Sequence, residues 1–264
     1  MSNVIDSENL FHRSKTRIKN LGEVFTPKHY VDDMLALLSK GNPHIWDDEG
    51  IAFFEPTCGH GNIVISIYKK RLEAIYKKAV ANGDRDPAYR AVANAINTLW
   101  AIDIDSKNIS QCRARILITT VEFLREKIGF KSKFCIIEKR ADFIAHLLCA
   151  IKWHIFESEA LSALSDNHSA KASAQKTKAG DKWFSQNGHR PINFELGWTN
   201  YFENCKKEQS IPLLFKRAHR FVMNVLSAKS NDLNDFDFAK YLLDIKSNTK
   251  IASRKNQNDI AIGV

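Results

Sequence analysis

No two of the six prolines are adjacent, and none of the five cysteines (58, 112, 135, 149 and 205) stands in a Cys-x-x-Cys pair. No apolar run approaches the ~20 residues that a membrane span requires, so no membrane partner is expected. An odd number of scattered cysteines gives neither a disulfide framework nor a zinc knuckle, and a reducing, cytoplasmic compartment fits best. No cluster of His, Cys, Asp and Glu has metal-ligand spacing, so no metal is expected. The first ten residues lack a basic region followed by an apolar stretch, which speaks against a secretory signal. Internal repeats are absent. The fingerprint Gly-x-Gly-x-x-Gly is also missing, which argues against a nicotinamide cofactor.

What is present suits one domain with an appendage: 264 residues, of which 44% are hydrophobic and 10% aromatic, enough to build a core. The formal charge of +9 suits a polyanionic partner such as nucleic acid, and equally an ordinary solvated surface. Residues 1–20 read as a basic arm, with Arg13, Lys15, Arg17 and Lys19 at alternate positions. Tyr30, Val31, Met34, Leu35 and Leu38 recur at helical spacing over 29–39, and Gly41-Asn42-Pro43 ends that helix. Ile51 to Phe54 is a short buried strand, followed by a helix to about Val80, a loop at 82–87 and a helix over 88–98. Leu99 to Asp103 is a second strand, after which Asp105 or Ser106 caps a helix. Phe134 to Ile137 reads as a third strand, and Ile151 to Glu157 stands where a fourth would end. Alternating strands and helices predict a parallel sheet with helices on both faces. The polar, small-residue stretch 157–190 reads as a flexible loop, and 191–264 as a partly helical C-terminal extension.

The chemistry concentrates where strands end. Glu55-Pro56-Thr57-Cys58-Gly59-His60-Gly61-Asn62 breaks a buried strand and opens a helix, whose N-terminus offers free N–H groups. Asp103 ends the next strand, where a carboxylate can accept hydrogen bonds from a ribose, and Asp142-Phe143 follows the third as a polar hook and an aromatic plate. Each piece also has a plain structural reading, as a turn or a helix cap. His154 is read either as a general base or as a hydrogen-bonded core histidine. Lys216, Arg217, His219 and Arg220 cluster beside Phe221 and Met223, either for phosphate contacts or as a solvated helix face.

Taken together and in order, these pieces resemble the gamma-type S-adenosylmethionine-dependent methyltransferases of adenine in DNA, which include the modification subunits of type I restriction-modification systems. The resemblance covers roughly residues 20–145 and rests on Gly22-Glu23-Val24-Phe25-Thr26-Pro27, on Phe54 to Gly61, on Ala101-Ile102-Asp103-Ile104-Asp105 and on Ala141-Asp142-Phe143. It implies an α/β fold, a class I methyltransferase (Rossmann-like) sheet over 21–156, shortened, with an N-terminal helix and an irregular C-terminal extension. It implies S-adenosylmethionine as cofactor. Phe25, Thr26, Glu55, Pro56, Cys58 and Gly59 would surround the methionine part beside Gly61, Asp103 would hold the ribose, Ile104 would pack on the adenine, and Asp142 and Phe143 would complete the adenine pocket.

One family element is missing. These enzymes carry Asn-Pro-Pro-Tyr or Asn-Pro-Pro-Phe at the end of the fourth strand, to position the target amino group and stack the flipped base. The nearest echo runs from Phe194 to Phe202, with Asn200 as amide acceptor and Tyr201 or Phe202 as stacking ring. The sequence therefore supports a DNA methyltransferase-like protein and leaves open a catalytically inactive module. Such a module would bind S-adenosylmethionine, DNA or a partner protein in regulation or anti-restriction. A methyltransferase of another substrate, its pocket built from the C-terminal extension, also stays open. The compact layout would suit a phage or mobile element.

Overall fold

A proline at 27 fixes the start of α1 (Lys28–Gly41), which turns Val31 and Leu35 inward. The computed structural model describes residues 26–131, 139–195 and 197–198. After α1 come β1 (Phe53–Glu55), α2 (Asn62–Ala81), α3 (Pro87–Asn97), β2 (Leu99–Asp103), α4 (Ser106–Ile128), α5 (Ala141–His154) and β3 (Ile155–Glu157). Three shorter helices follow: α6 (Ala160–Leu164), α7 (Asn167–Ala174) and α8 (Lys178–Asn187). The strands form one parallel sheet in the order β1-β2-β3, with Phe53 opposite Leu99 and Ala101 opposite Ile155.

Alternation along each strand sorts the two faces. Phe53, Leu99, Ala101 and Ile155 join the main core with Val64, Tyr68 and Leu72 of α2 and Ile109, Ile116 and Leu117 of α4. Inside this helical layer the Tyr68 hydroxyl meets the Thr120 hydroxyl at 2.7 Å. On the other face Phe54 and Trp100 pack against Phe194, with ring centroids 5.0 and 5.4 Å away. Helices on both faces were expected. Among the described residues, the aromatic contact on the second face comes from Phe194 of a returning segment, whose Trp198 joins the main core.

The helices are long and the strands short, which fixes the layout. α2 starts at the carboxyl edge, where Gly59 and Asp103 meet, and by Arg71 it is level with Thr98, just before β2 begins. Ten further residues carry it about 15 Å past the amino edge. The short loop at 82–86 then reverses the chain, and α3 climbs back to enter β2 directly. α5 does the same beside it: Phe143 packs on Tyr89 near the start of α3 (4.8 Å), and His154 packs on Trp100 (4.3 Å), so the two segments run side by side in the same direction.

Buried polar groups close the amino edge. The Arg71 guanidinium, fully buried, donates to the carbonyls of Ile45, Trp46 and Asp48 and to the Thr98 hydroxyl at 3.0–3.4 and 2.9 Å, and stands 5.2 Å over the Phe53 ring. Burial lowers it to about 10, leaving it charged at neutral pH. His154 Nε2 accepts the Trp198 backbone N–H at 3.1 Å and pins the returning segment.

The stretch expected to be a flexible loop, 157–190, holds three short helices. Each of its three helices is started by a side chain that accepts a backbone N–H: Glu159 from Ser162, Asp166 from Ser169 and Thr177 from Gly180, at 2.7–3.0 Å. Ala170, Ala174, Trp183 and Phe184 form a second, small core, against which Ile104 packs. The third strand expected at 134–137 lies outside the described residues. The segment 151–157 is not a continuous strand but the end of α5 and the three residues of β3.

Candidate functional site at the carboxyl edge of the sheet

Parallel strands leave their last carbonyls and side chains at one edge, and here those of β1, β2 and β3 converge. After β1 the chain turns through Cys58, whose N–H donates to the Ile102 carbonyl at 2.9 Å. Gly59 and Gly61 both adopt positive φ, 53° and 97°. At Gly61 this is required twice over, because a Cβ there would stand 2.7 Å from Cys112 Sγ. Gly61 begins α2 with no side-chain cap, so the first N–H groups of that helix remain for other acceptors.

Asp103 ties this loop to β2. One carboxylate oxygen accepts the Gly59 N–H at 2.9 Å, and the other accepts the Asp105 N–H at 2.8 Å and the Asn108 amide at 3.2 Å. Burial raises its carboxyl above the ordinary range, and those three hydrogen bonds act in the opposite sense. Asp105 caps α4 by accepting from Lys107 N. At the end of β3, Ser158 N–H donates to the Asp103 carbonyl at 3.0 Å, which sets Glu157 beside Asp103. Glu157 is likewise raised, first by desolvation and then by Asp105, against the pull of Lys152, Arg113 and Lys182.

The N-terminal segment reaches the same place. Asn62 donates to the Thr26 carbonyl (3.4 Å) and accepts from Arg115 (3.0 Å), which also holds the His60 carbonyl (2.8 Å). Thr26, Cys58, Gly59, Gly61 and Asp103 are thus brought together at one edge. Glu55 turns back on its own loop, accepting from the N–H and hydroxyl of Thr57, with Pro56 half-buried between them. The hydrogen bond of Cys58 with Cys112 and its burial push the thiol far above its ordinary range, which disfavours the thiolate. Ile104 follows Asp103 but is packed against the small core of α7 and α8.

One expectation falls away from this edge, and His154 follows the core reading of its two alternatives. Asp142 and Phe143 start α5, and the Phe143 ring lies against Tyr89. Since Tyr89 is near the beginning of α3, beyond the amino edge, more than the length of β2, about 13 Å, separates the pair from Asp103. The helices overshoot the strands, so a motif that follows the second crossover helix starts at the far end. His154 is at the amino edge too, fully buried and pushed down to about 3 by desolvation, which makes it a core acceptor rather than a general base. Phe25, Asn200, Tyr201, Phe202 and the basic residues at 13–19 and 216–220 lie outside the described residues. Trp198, two residues before Asn200, is bonded to His154 at the amino edge.

Sequence reasoning missed Glu157, Ser158 and Arg115. The first two could have been found from the acidic residue that follows Ile155-Phe156, as Asp103 follows Ala101-Ile102. Among the described residues no group of three or more His, Cys, Asp or Glu is arranged for a metal, and no helix is long and apolar enough to cross a membrane. Comparison with protein-family models, with curated proteins and with solved structures returns no significant match to this chain.

Proposed function

We propose that the carboxyl edge binds S-adenosylmethionine and that the protein is DNA methyltransferase-like, directing a methyl group to an adenine amino nitrogen. The observation that carries this reading is the Gly59–Asp103 contact. A glycine loop opening a helix and a carboxylate ending the neighbouring strand are held within one hydrogen bond of each other, at the sheet edge where open α/β folds take nucleotides. The residues fit the group: Asp103 and Glu157 offer acceptors for a ribose diol, and the uncapped start of α2 offers N–H donors for a carboxylate. When bound, the sulfonium would supply an activated methyl group. Thr26 and the Asn62–Arg115 pair would hold the loop in place, and the catalytic contribution of the chain would be orientation of the acceptor nitrogen. The charge of +9 suits a DNA partner.

A second reading, the non-catalytic module, is favoured by one observation. Both oxygens of Asp103 are already engaged by the protein's own donors, which is what a purely structural strand end would show.

Calorimetric titration with S-adenosylmethionine, beside Asp103→Ala, tests the cofactor. Micromolar binding that weakens at least tenfold in a folded variant supports it, and absence of binding by the folded wild type overturns it. Labelled methyl transfer to DNA then separates the enzyme from the module.

A further inference from the structure

The resemblance assigned an aromatic plate to Phe143, which the fold carries to the wrong edge. A different aromatic pair stands where a base would lie. Trp183 and Phe184 of α8 share a small core with Ala170 and Ala174, and among the described residues the partly buried hydrophobic side chain packed against that core is Ile104, the residue after Asp103. The charge of Lys182, immediately before Trp183, also acts on Glu157 at the end of β3, in keeping with the placement of α8 that the Ile104 contact gives. Trp183 is more than nine-tenths buried, yet its indole N–H has no hydrogen-bond partner among the described residues. A buried donor left unpaired is costly, and tryptophan is normally buried with its N–H satisfied. Phenylalanine would fill such a core without that cost.

We propose that Trp183 is the base-recognising residue of the site: a purine inserts between Ile104 and the α7–α8 pair, and the indole N–H donates to a ring nitrogen of the purine. This rests on the adenosyl reading above for its ligand, and it assigns the contact to a helical unit outside the part of the chain that carries the resemblance. In the present structure Ile104 and the small core are in contact, so the base enters by parting them about one aromatic ring thickness, 3.5 Å. The unit has its own core and its own caps at Glu159, Asp166 and Thr177, so it can shift as a body.

The test uses the full chain with two probes, adenosine and S-adenosylmethionine, titrated into the wild type, Trp183→Phe and Trp183→Ala, with thermal melts of each. Trp183→Phe keeps the ring and removes the donor. The expected result is an unchanged or raised melting temperature with affinity for both probes reduced about tenfold, and a larger reduction in Trp183→Ala. If the wild type binds both probes and Trp183→Phe binds them equally well, the inference is overturned while the cofactor reading stands. If adenosine binds in a Trp183-dependent way and S-adenosylmethionine does not bind, the base site stands and the cofactor reading falls. A folded wild type that binds neither overturns both.

Discussion

The amino and carboxyl edges of the sheet are both held by charged side chains that hydrogen-bond to backbone, yet they are built for different ends. At the amino edge the Arg71 guanidinium is fully buried and donates to three carbonyls and a hydroxyl, and His154 receives a backbone N–H in the core. Every contact there joins one part of the chain to another. At the carboxyl edge Asp103 and Glu157 remain partly accessible, with Gly59 and the uncapped start of α2 beside them. Charge sealed from water fixes architecture, whereas charge left at a rim can exchange its partners for those of a ligand.

The contrast can be broken most severely at Arg71. Arg71→Ala strands three carbonyls and opens a cavity, and a loss of about 3–5 kcal/mol is expected in urea unfolding. A loss below about 1 kcal/mol would show that the amino edge is not sealed. On the opposite edge, Gly61→Ala forces a Cβ to within 2.7 Å of Cys112 Sγ at a φ of 97°. About 2–3 kcal/mol is expected from the strain, and Cys112→Ala in the same chain should recover only the part due to the clash. A double-mutant cycle measures that share.

Titration sharpens the comparison further. His154 is held near 3 in the fold against an ordinary 6.5, so the unfolded chain binds the extra proton. Its contribution is complete above 6.5 and is lost as pH falls toward 3, about 2 kcal/mol by pH 5. His154→Gln should remove that slope when unfolding is compared at pH 7 and 5. Asp103 is raised rather than lowered, so its contribution runs the other way: it is greatest below the ordinary carboxyl range and lost as pH rises through the folded value. The smallest effect belongs to Arg90, which joins Glu49 of the loop before β1 to Asp84 of the loop after α2 at 3.0–3.1 Å, but from a half-exposed position. Arg90→Ala should cost less than about 1 kcal/mol and less still in high salt. A cost matching that of Arg71 would mean that burial is not what separates the two arginines.

Much of this architecture could be read in advance where apolar spacing was strong. Helical periodicity locates α1, α2 and α3 to within a few residues, Leu99 to Asp103 carries the observed bounds of β2, and residue type narrows the cap of α4 to Asp105 or Ser106, of which the structure uses Asp105. The stretch 160–187 misled because alanine and serine carry little pattern, and its order comes from caps and from one aromatic pair. The site was legible where it is local, from Cys58 to Gly61. It was illegible where it depends on how far a helix overshoots a strand, since nothing near Asp142 states which edge it will occupy.

That overshoot also bears on how the chain assembles. Parallel strands at 53 and 99 must be joined across a long span, a closure that is slow when the intervening chain is coil. Here α2 and α3 pack as a hairpin closed by the short loop at 82–86, so local contacts form the hairpin without waiting for the sheet. Its folding carries the end of α3, and with it Thr98, back to Arg71, where Thr98 receives the Phe53 N–H at 2.7 Å. In the folded chain the helical hairpin sets β2 beside β1, so that a pairing distant in sequence is bridged by contacts that are local.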